Sequence, residues 1–305
     1  MNLRSSRKIW RAMSSYKSLI LLLGAALVAA LWFFFFQAPT TIVAQPLPQF
    51  SSYFMQPSFV DDAFAAVGGV RTRSDVSMVL VNHHLLASQF IARVIAAVAT
   101  DEPVVVVLVS PDHFAGGIAP VTSVIANWLT PYGILEPASD SISTLASAGV
   151  VHLQERPFER EHGITNITMF IKKAIPYARL VPIIVRDDAA NNLIDMLARA
   201  IASLPGKVLI IGSFDFTHDA TDAVARANDA RSLQLLERGN PNDADDIVID
   251  SKPGIRLLMV LAQLRKLKFA ITDSSNSARL LGDLSRTDVT SYITGTWSQQ
   301  KLMVY

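Results

Sequence analysis

Four of the six histidines stand where a sheet would place a binding site, and they carry most of the chemistry open to this chain. His83 and His84 follow the apolar run Met78-Val79-Leu80-Val81. His113 follows the long run at residues 104–109, and His218 follows Val208-Leu209-Ile210-Ile211-Gly212. Runs of this kind read as strands buried on both faces. Ligands of open α/β sheets sit beyond the carboxyl ends of such strands. If these strands are neighbours, one imidazole from each converges on a single edge, a donor set for Fe, Cu, Zn or Mn. His83 and His84 both remain open for the first position. Asp112 and Asp215 stand beside two of the histidines, where a carboxylate could orient a ring or join the ligands. His162, in Glu161-His162-Gly163 ahead of a helix, and Asp215 are the candidates for proton transfer, with Glu161 as support.

Other chemistry is thinner. No local spacing such as HExxH backs the histidines, so their convergence depends on the fold. Ser110 and Ser213 lack the GxSxG turn of a nucleophile, and Gly116-Gly117 lacks the spacing of a phosphate loop. His152 lies between Val151 and Leu153 on a short strand, a packing or solvent-facing position. The chain has no cysteine, which excludes disulfides, thiolate nucleophiles and cysteine-ligated metal sites. Of 27 basic residues, five precede the first acidic one, Asp61, so the rest carries 22 against 26 acidic residues. That balance argues against a nucleic-acid surface and leaves a small molecule as the expected ligand.

The elements that must position these groups alternate along the chain. Strand patterns at 78–81, 103–110, 179–185 and 208–212 are separated by helical patterns at 85–100, 139–148, 164–175 and 189–203. Helices over 221–237 and 253–268 follow, the second capped by Asp250 or Ser251. Late strands at 269–274, 289–296 and 301–305 read as antiparallel additions. The expected fold is a three-layer α/β/α domain with a central mixed, mostly parallel sheet.

Ahead of it, residues 18–36 carry no charge and would extend about 28 Å as a helix, enough for a bilayer core. The flanking Arg4, Arg7, Lys8, Arg11 and Lys17 predict a cytoplasmic N-terminus and an extracytoplasmic domain. The organisation expected is a basic segment over 1–17, a single-pass membrane anchor over 18–36, a Pro-rich linker over 37–60 and the α/β domain over 61–305.

Taken in order, the strand followed by His83, then Ser110-Pro111-Asp112-His113, Glu161-His162-Gly163 and Ser213-Phe214-Asp215-Phe216-Thr217-His218, resemble the Memo family. This is the B component of the AmmeMemoRadiSam set, similar in fold to the catalytic subunit of the LigB-like class III extradiol dioxygenases. Asp273-Ser274-Ser275-Asn276-Ser277 looks like the family's S-S-x-C stretch, and Ser291-Tyr292-Ile293-Thr294-Gly295 like its S-Y-x-x-G. The resemblance covers residues 77–295. It implies metal ligands at His83, His113 and His218, with His84 as the alternative to His83 because Asn82 replaces the family's proline. It places Ser277 beside the site where the family has cysteine. It also implies Fe or Cu, with Zn or Mn as other options, and a metal-dependent redox enzyme of dioxygenase type. The competing expectations are a non-catalytic ligand- or protein-binding module in the same cleft, and a metal-assisted hydrolase.

Overall fold

The computed structural model describes Tyr16, residues 23–33 and residues 46–299. The chain divides into two units, Met1–Pro46 and Leu47–Tyr305. In the first, residues 23–33 are helical. The rest of the expected 18–36 anchor lies outside the described residues. Among the described residues no helix is long and apolar enough to cross a membrane. Residues 37–45 and the strand expected over 301–305 also lie outside them.

The second unit is built on one sheet. Its strands are β1 (Gln49–Ser51), β2 (Val76–Val81), β3 (Val104–Pro111), β4 (Val121–Ser123), β5 (Asn127–Thr130), β6 (Gly133–Pro137), β7 (His152–Leu153), β8 (Ala178–Val185), β9 (Val208–Ser213), β10 (Leu267–Asn276) and β11 (Ser291–Gln299). They lie in the order β1-β5-β6-β8-β3-β9-β2-β11-β10, with β4 beside β8 and β7 beside β4. The middle of the sheet, β6-β8-β3-β9-β2, is parallel, while β11 and β10 close one side antiparallel.

Helices α1 (Pro57–Ala66), α2 (Ser88–Ala97) and α4 (His162–Ala174) cover one face, and α3 (Ser139–Ser147), α5 (Asn191–Ala202) and α7 (Lys252–Arg265) the other. Two further helices, α6 (Asp222–Arg238) and α8 (Ser277–Leu281), lie towards the antiparallel end. Strand β3 shows why the sequence takes this form. Its Val107 and Val109 enter the core under α5 and α7, while Val106 and Leu108 enter the core under α2 and α4. A strand buried on both faces needs apolar side chains at consecutive positions, and each adds roughly 1.5–3 kcal/mol of burial. Part of the stretch expected to be a linker belongs to the domain: β1 pairs with β5, α1 starts at Pro57, and Phe50, Phe54 and Phe59 pack on the core.

At the antiparallel end one buried carboxyl ties three segments together. The Ser291 hydroxyl of β11 donates to Asp229 Oδ1 of α6 (2.7 Å) and accepts from the backbone N–H of Thr217 (3.0 Å). Burial pushes the Asp229 pKa up to about 6, against the opposing pull of the Ser291 hydrogen bond. A carboxyl with a raised pKa holds its proton more tightly in the folded chain. Its contribution to stability is therefore present below the unfolded value and lost as pH rises through the folded one. Asp229→Asn keeps an acceptor for Ser291 without the charge. Urea unfolding of the two proteins should show the variant gaining up to about 3 kcal/mol on the wild type between about pH 4 and about pH 7. Parallel stability curves would show that Asp229 is not the titrating group.

Candidate metal centre

The parallel register of β2, β9 and β3 brings their carboxyl ends to one line. Val81 stands level with Ser213, and Val109 with Gly212. His83, Asp215 and His113 each lie two residues beyond the last residue of their strand. The third imidazole comes from the helix layer. His162 is the first residue of α4, whose N-cap Glu161 accepts from the backbone N–H of Gly163 (2.9 Å). A Cβ on Gly163 would stand 1.9 Å from Ser110 Oγ, so glycine is what lets this turn close on the end of β3.

His83, His113 and His162 each offer a ring nitrogen, all within 4.8 Å of one another, and could hold a metal ion. Ring centroids are 4.0 Å apart for His113 and His162, 4.8 Å for His83 and His113, and 5.0 Å for His83 and His162. His83 is buried, while the other two are partly open to solvent.

Hydrogen bonds fix two of the rings for ligation. Glu161, fully buried, accepts from His113 Nδ1 (2.7 Å) and, through its other oxygen, from the His113 backbone N–H (3.1 Å). That leaves the lone pair of His113 on Nε2. His83 Nδ1 lies 3.3 Å from both the carbonyl and the hydroxyl oxygen of Ser213. The hydroxyl already donates to Gly163 O (2.7 Å), so both oxygens accept from His83 and its lone pair too falls on Nε2.

Two carboxylates face these nitrogens. Asp215 Oδ2 and Asp250 Oδ2 lie 3.5 Å and 3.4 Å from His83 Nε2, and Asp250 Oδ2 is 3.8 Å from His113 Nε2. They hold each other in place: Asp215 N–H donates to Asp250 Oδ2 (2.8 Å) and Asp250 N–H to Asp215 O (3.0 Å). Burial, and then the charges of His113 and His162, hold the His83 pKa well below its usual value. Burial and His113 also lower that of His162. Burial raises Asp215, and burial together with the Asp215 charge raises Asp250 well above the carboxylate range. Every shift disfavours charge at a place where lone pairs converge. Asp250 Oδ1 is buried without a hydrogen-bond partner. A cation would relieve each of these costs at once, so the donor set fits a metal ion.

The structure sorts the expected residues. His83 faces the centre and His84 is exposed, hydrogen-bonded through Nδ1 to the Tyr292 hydroxyl. His218 does not join the triad. It lies five residues beyond β9, exposed, just before Asp219, where φ is 50°. His162, expected to carry protons, takes the third place instead. Asp112 orients no ring; its carboxylate accepts from Gly116 N–H (3.0 Å) and Gly117 N–H (2.8 Å) and holds the loop after β3. Ser277 accepts at Oγ from the Thr290 backbone N–H (3.1 Å) and stands apart from the triad. Asp250 was readable from sequence only as a helix cap. Ser251 fills that role by accepting from Gly254 N–H (3.1 Å), which frees the Asp250 carboxylate for the site.

Fold and site together define an α/β protein with a large mixed sheet and a histidine triad that could hold a metal ion. The chain belongs to the Memo family: it matches the family model described as Memo-like protein over residues 61–295. Proteins named MEMO1 family protein are similar to it. One from Caldivirga maquilingensis is 23% identical over 209 residues, 67% of this chain and 73% of that protein. One from Nitrosopumilus maritimus is 27% identical over 144 residues, 46% of this chain and 52% of the relative. One from Thermococcus onnurineus is 32% identical over 124 residues, 38% and 43% of the two chains. The matches to the last two span about half the length of those relatives.

Because Glu161 orients His113 without reaching the centre itself, Glu161→Gln should weaken metal binding roughly 10–100-fold. Chelator competition measures this, with far-UV circular dichroism as the control for folding. Unchanged affinity in a folded variant would contradict the role given to Glu161.

Proposed function

We propose that this chain is a membrane-anchored, metal-dependent oxidoreductase acting on a small organic molecule at the histidine triad. The observation that carries the reading is the convergence of three imidazoles, with Asp250 Oδ2 3.4 Å from His83 Nε2. Nitrogen and carboxylate donors with open positions suit Fe and Cu as well as Zn and Mn; Fe or Cu is the choice that accords with redox chemistry. Bound there, the ion would supply Lewis acidity and one-electron chemistry with O₂. His83, His113 and His162 would hold it. Glu161 and Ser213 keep two of the rings in the ligating tautomer. Asp215, its pKa raised by burial, is placed beside His83 Nε2 to hold or release a proton. Phe114 lies edge-on to His162 (centroids 6.2 Å) with the Arg160 guanidinium 5.0 Å over its ring. Together they give a planar, anionic molecule a wall to pack on.

The test is metal by metal. Full-length protein loaded separately with Fe(II), Cu(II), Zn(II) and Mn(II) is assayed for O₂ uptake with catechols and other small phenols. Uptake with Fe or Cu, reduced at least about 100-fold in His113→Ala, is the expected result. Hydrolysis of small esters with Zn or Mn alone would replace the redox reading by metal-assisted hydrolysis. No turnover with any bound metal would leave a binding module.

The anchor is part of the same proposal and is supported by the uncharged residues 18–36 with their basic flank. The full-length chain should pellet with membranes and resist alkaline extraction, while residues 46–305 stay in the supernatant. Full-length protein in the supernatant would remove the anchor from the proposal.

A further inference from the structure

The helix that supplies His162 also grips the backbone of His83. Asn166 lies one turn after His162 on α4, so the two side chains leave the same face of the helix. It is 7% exposed, on a helix whose buried residues are mostly apolar. The other polar side chain buried there, Thr168, is hydrogen-bonded to the Ser52 hydroxyl (2.7 Å). Asparagine is a poor helix former, and burying its amide costs free energy unless the amide is hydrogen-bonded. Here Nδ2 donates to His83 O (2.9 Å). A carbonyl can only accept, so the amide nitrogen and not its oxygen faces His83.

This bond completes the hold on His83. The His83 backbone N–H donates to Asp215 Oδ1 (3.1 Å), Nδ1 of the ring meets the oxygens of Ser213, and the carbonyl is taken by Asn166. Across the same gap Ser213 Oγ donates to Gly163 O (2.7 Å), which joins α4 to the end of β9. Among the described residues, the Asn166 bond is the hydrogen bond that joins α4 to the end of β2. We propose that Asn166 is a clasp that sets the separation of His83 and His162, and thereby makes the helix histidine the third ligand of the centre. With the clasp closed, the two rings stand 5.0 Å apart and nearly perpendicular, at 88°. Asn166 is a positioning residue: its amide is turned to the backbone, and it acts on the ion through His83. The inference rests on the triad holding the ion, as proposed above.

The experiment is a double-mutant cycle on chelator-treated, full-length protein titrated with excess Co(II). Affinity is read by competition with a chromophoric chelator and coordination by the visible spectrum. Asn166→Leu keeps the volume and removes the donor. It should weaken Co(II) binding about 10–100-fold and alter the visible band, with far-UV circular dichroism as in wild type. In the His162→Ala background the same change should cost no more than about twofold, because the clasp has no second ring left to align. A purely structural role for Asn166 would multiply the two losses. Asn166→Ala repeats the cycle and decides the matter if the leucine variant does not fold. Wild-type affinity and spectrum in a folded variant, or losses that multiply across the cycle, would overturn the proposal. Wild type that takes up no Co(II) would overturn the centre and this inference with it, whereas equal binding by wild type and Asn166→Leu counts against Asn166 alone.

Discussion

Backbone pairing of three neighbouring parallel strands decides where the chemistry of this protein can stand. Once β3, β9 and β2 lie side by side with their ends level, the residues just beyond them have nowhere to go but a shared space. Two of the three strands place a histidine there and the middle one an aspartate. The helix layer supplies the rest, because the first turn of α4 packs on the end of β3 through Gly163 and delivers Glu161 and His162 together. The carboxylate that orients one ring is thus also the cap that starts the helix carrying another.

Such a gathering is costly when empty of cations. Three imidazoles within a few ångströms oppose one another's protonation, and two buried aspartates oppose one another's ionisation. The surrounding hydrogen bonds do not neutralise these groups; they aim them. Glu161 and Ser213 take the Nδ1 side of His113 and His83 and turn the Nε2 lone pairs inward. Three ring nitrogens within 4.8 Å of one another, with carboxylate oxygens of Asp215 and Asp250 beside them, offer a cation its donors, and so the polar cluster reads as a site and not as a structural network.

The sheet was legible because residues 104–109 admit one reading: an apolar, β-branched run ended by Ser110-Pro111. His83 and His113 were legible for the same reason, since each directly follows such a run. His218 follows one as well, but its distance from the strand end is what matters. The buried Phe214, Asp215, Phe216 and Thr217 intervene, and the chain then exposes the ring. His162 could not be found that way because its place depends on how a helix docks on the sheet, and no local pattern records docking. Asp112 misled through adjacency, since an aspartate next to a histidine can equally close its own turn. Asp250 was hidden by its neighbour Ser251, because either residue could cap α7. The Pro-rich stretch before residue 61 reads as a linker by composition, yet its phenylalanines seat β1 and α1 on the core.

The account turns on which imidazoles hold the ion. Metal content by mass spectrometry, on full-length wild type, His162→Ala and His218→Ala purified alike, tests that most directly. Near-stoichiometric metal in wild type and in His218→Ala, with loss in His162→Ala, is the predicted result. Metal retained in folded His162→Ala and lost in His218→Ala would contradict the triad, and no metal in wild type even after reconstitution would remove the centre altogether.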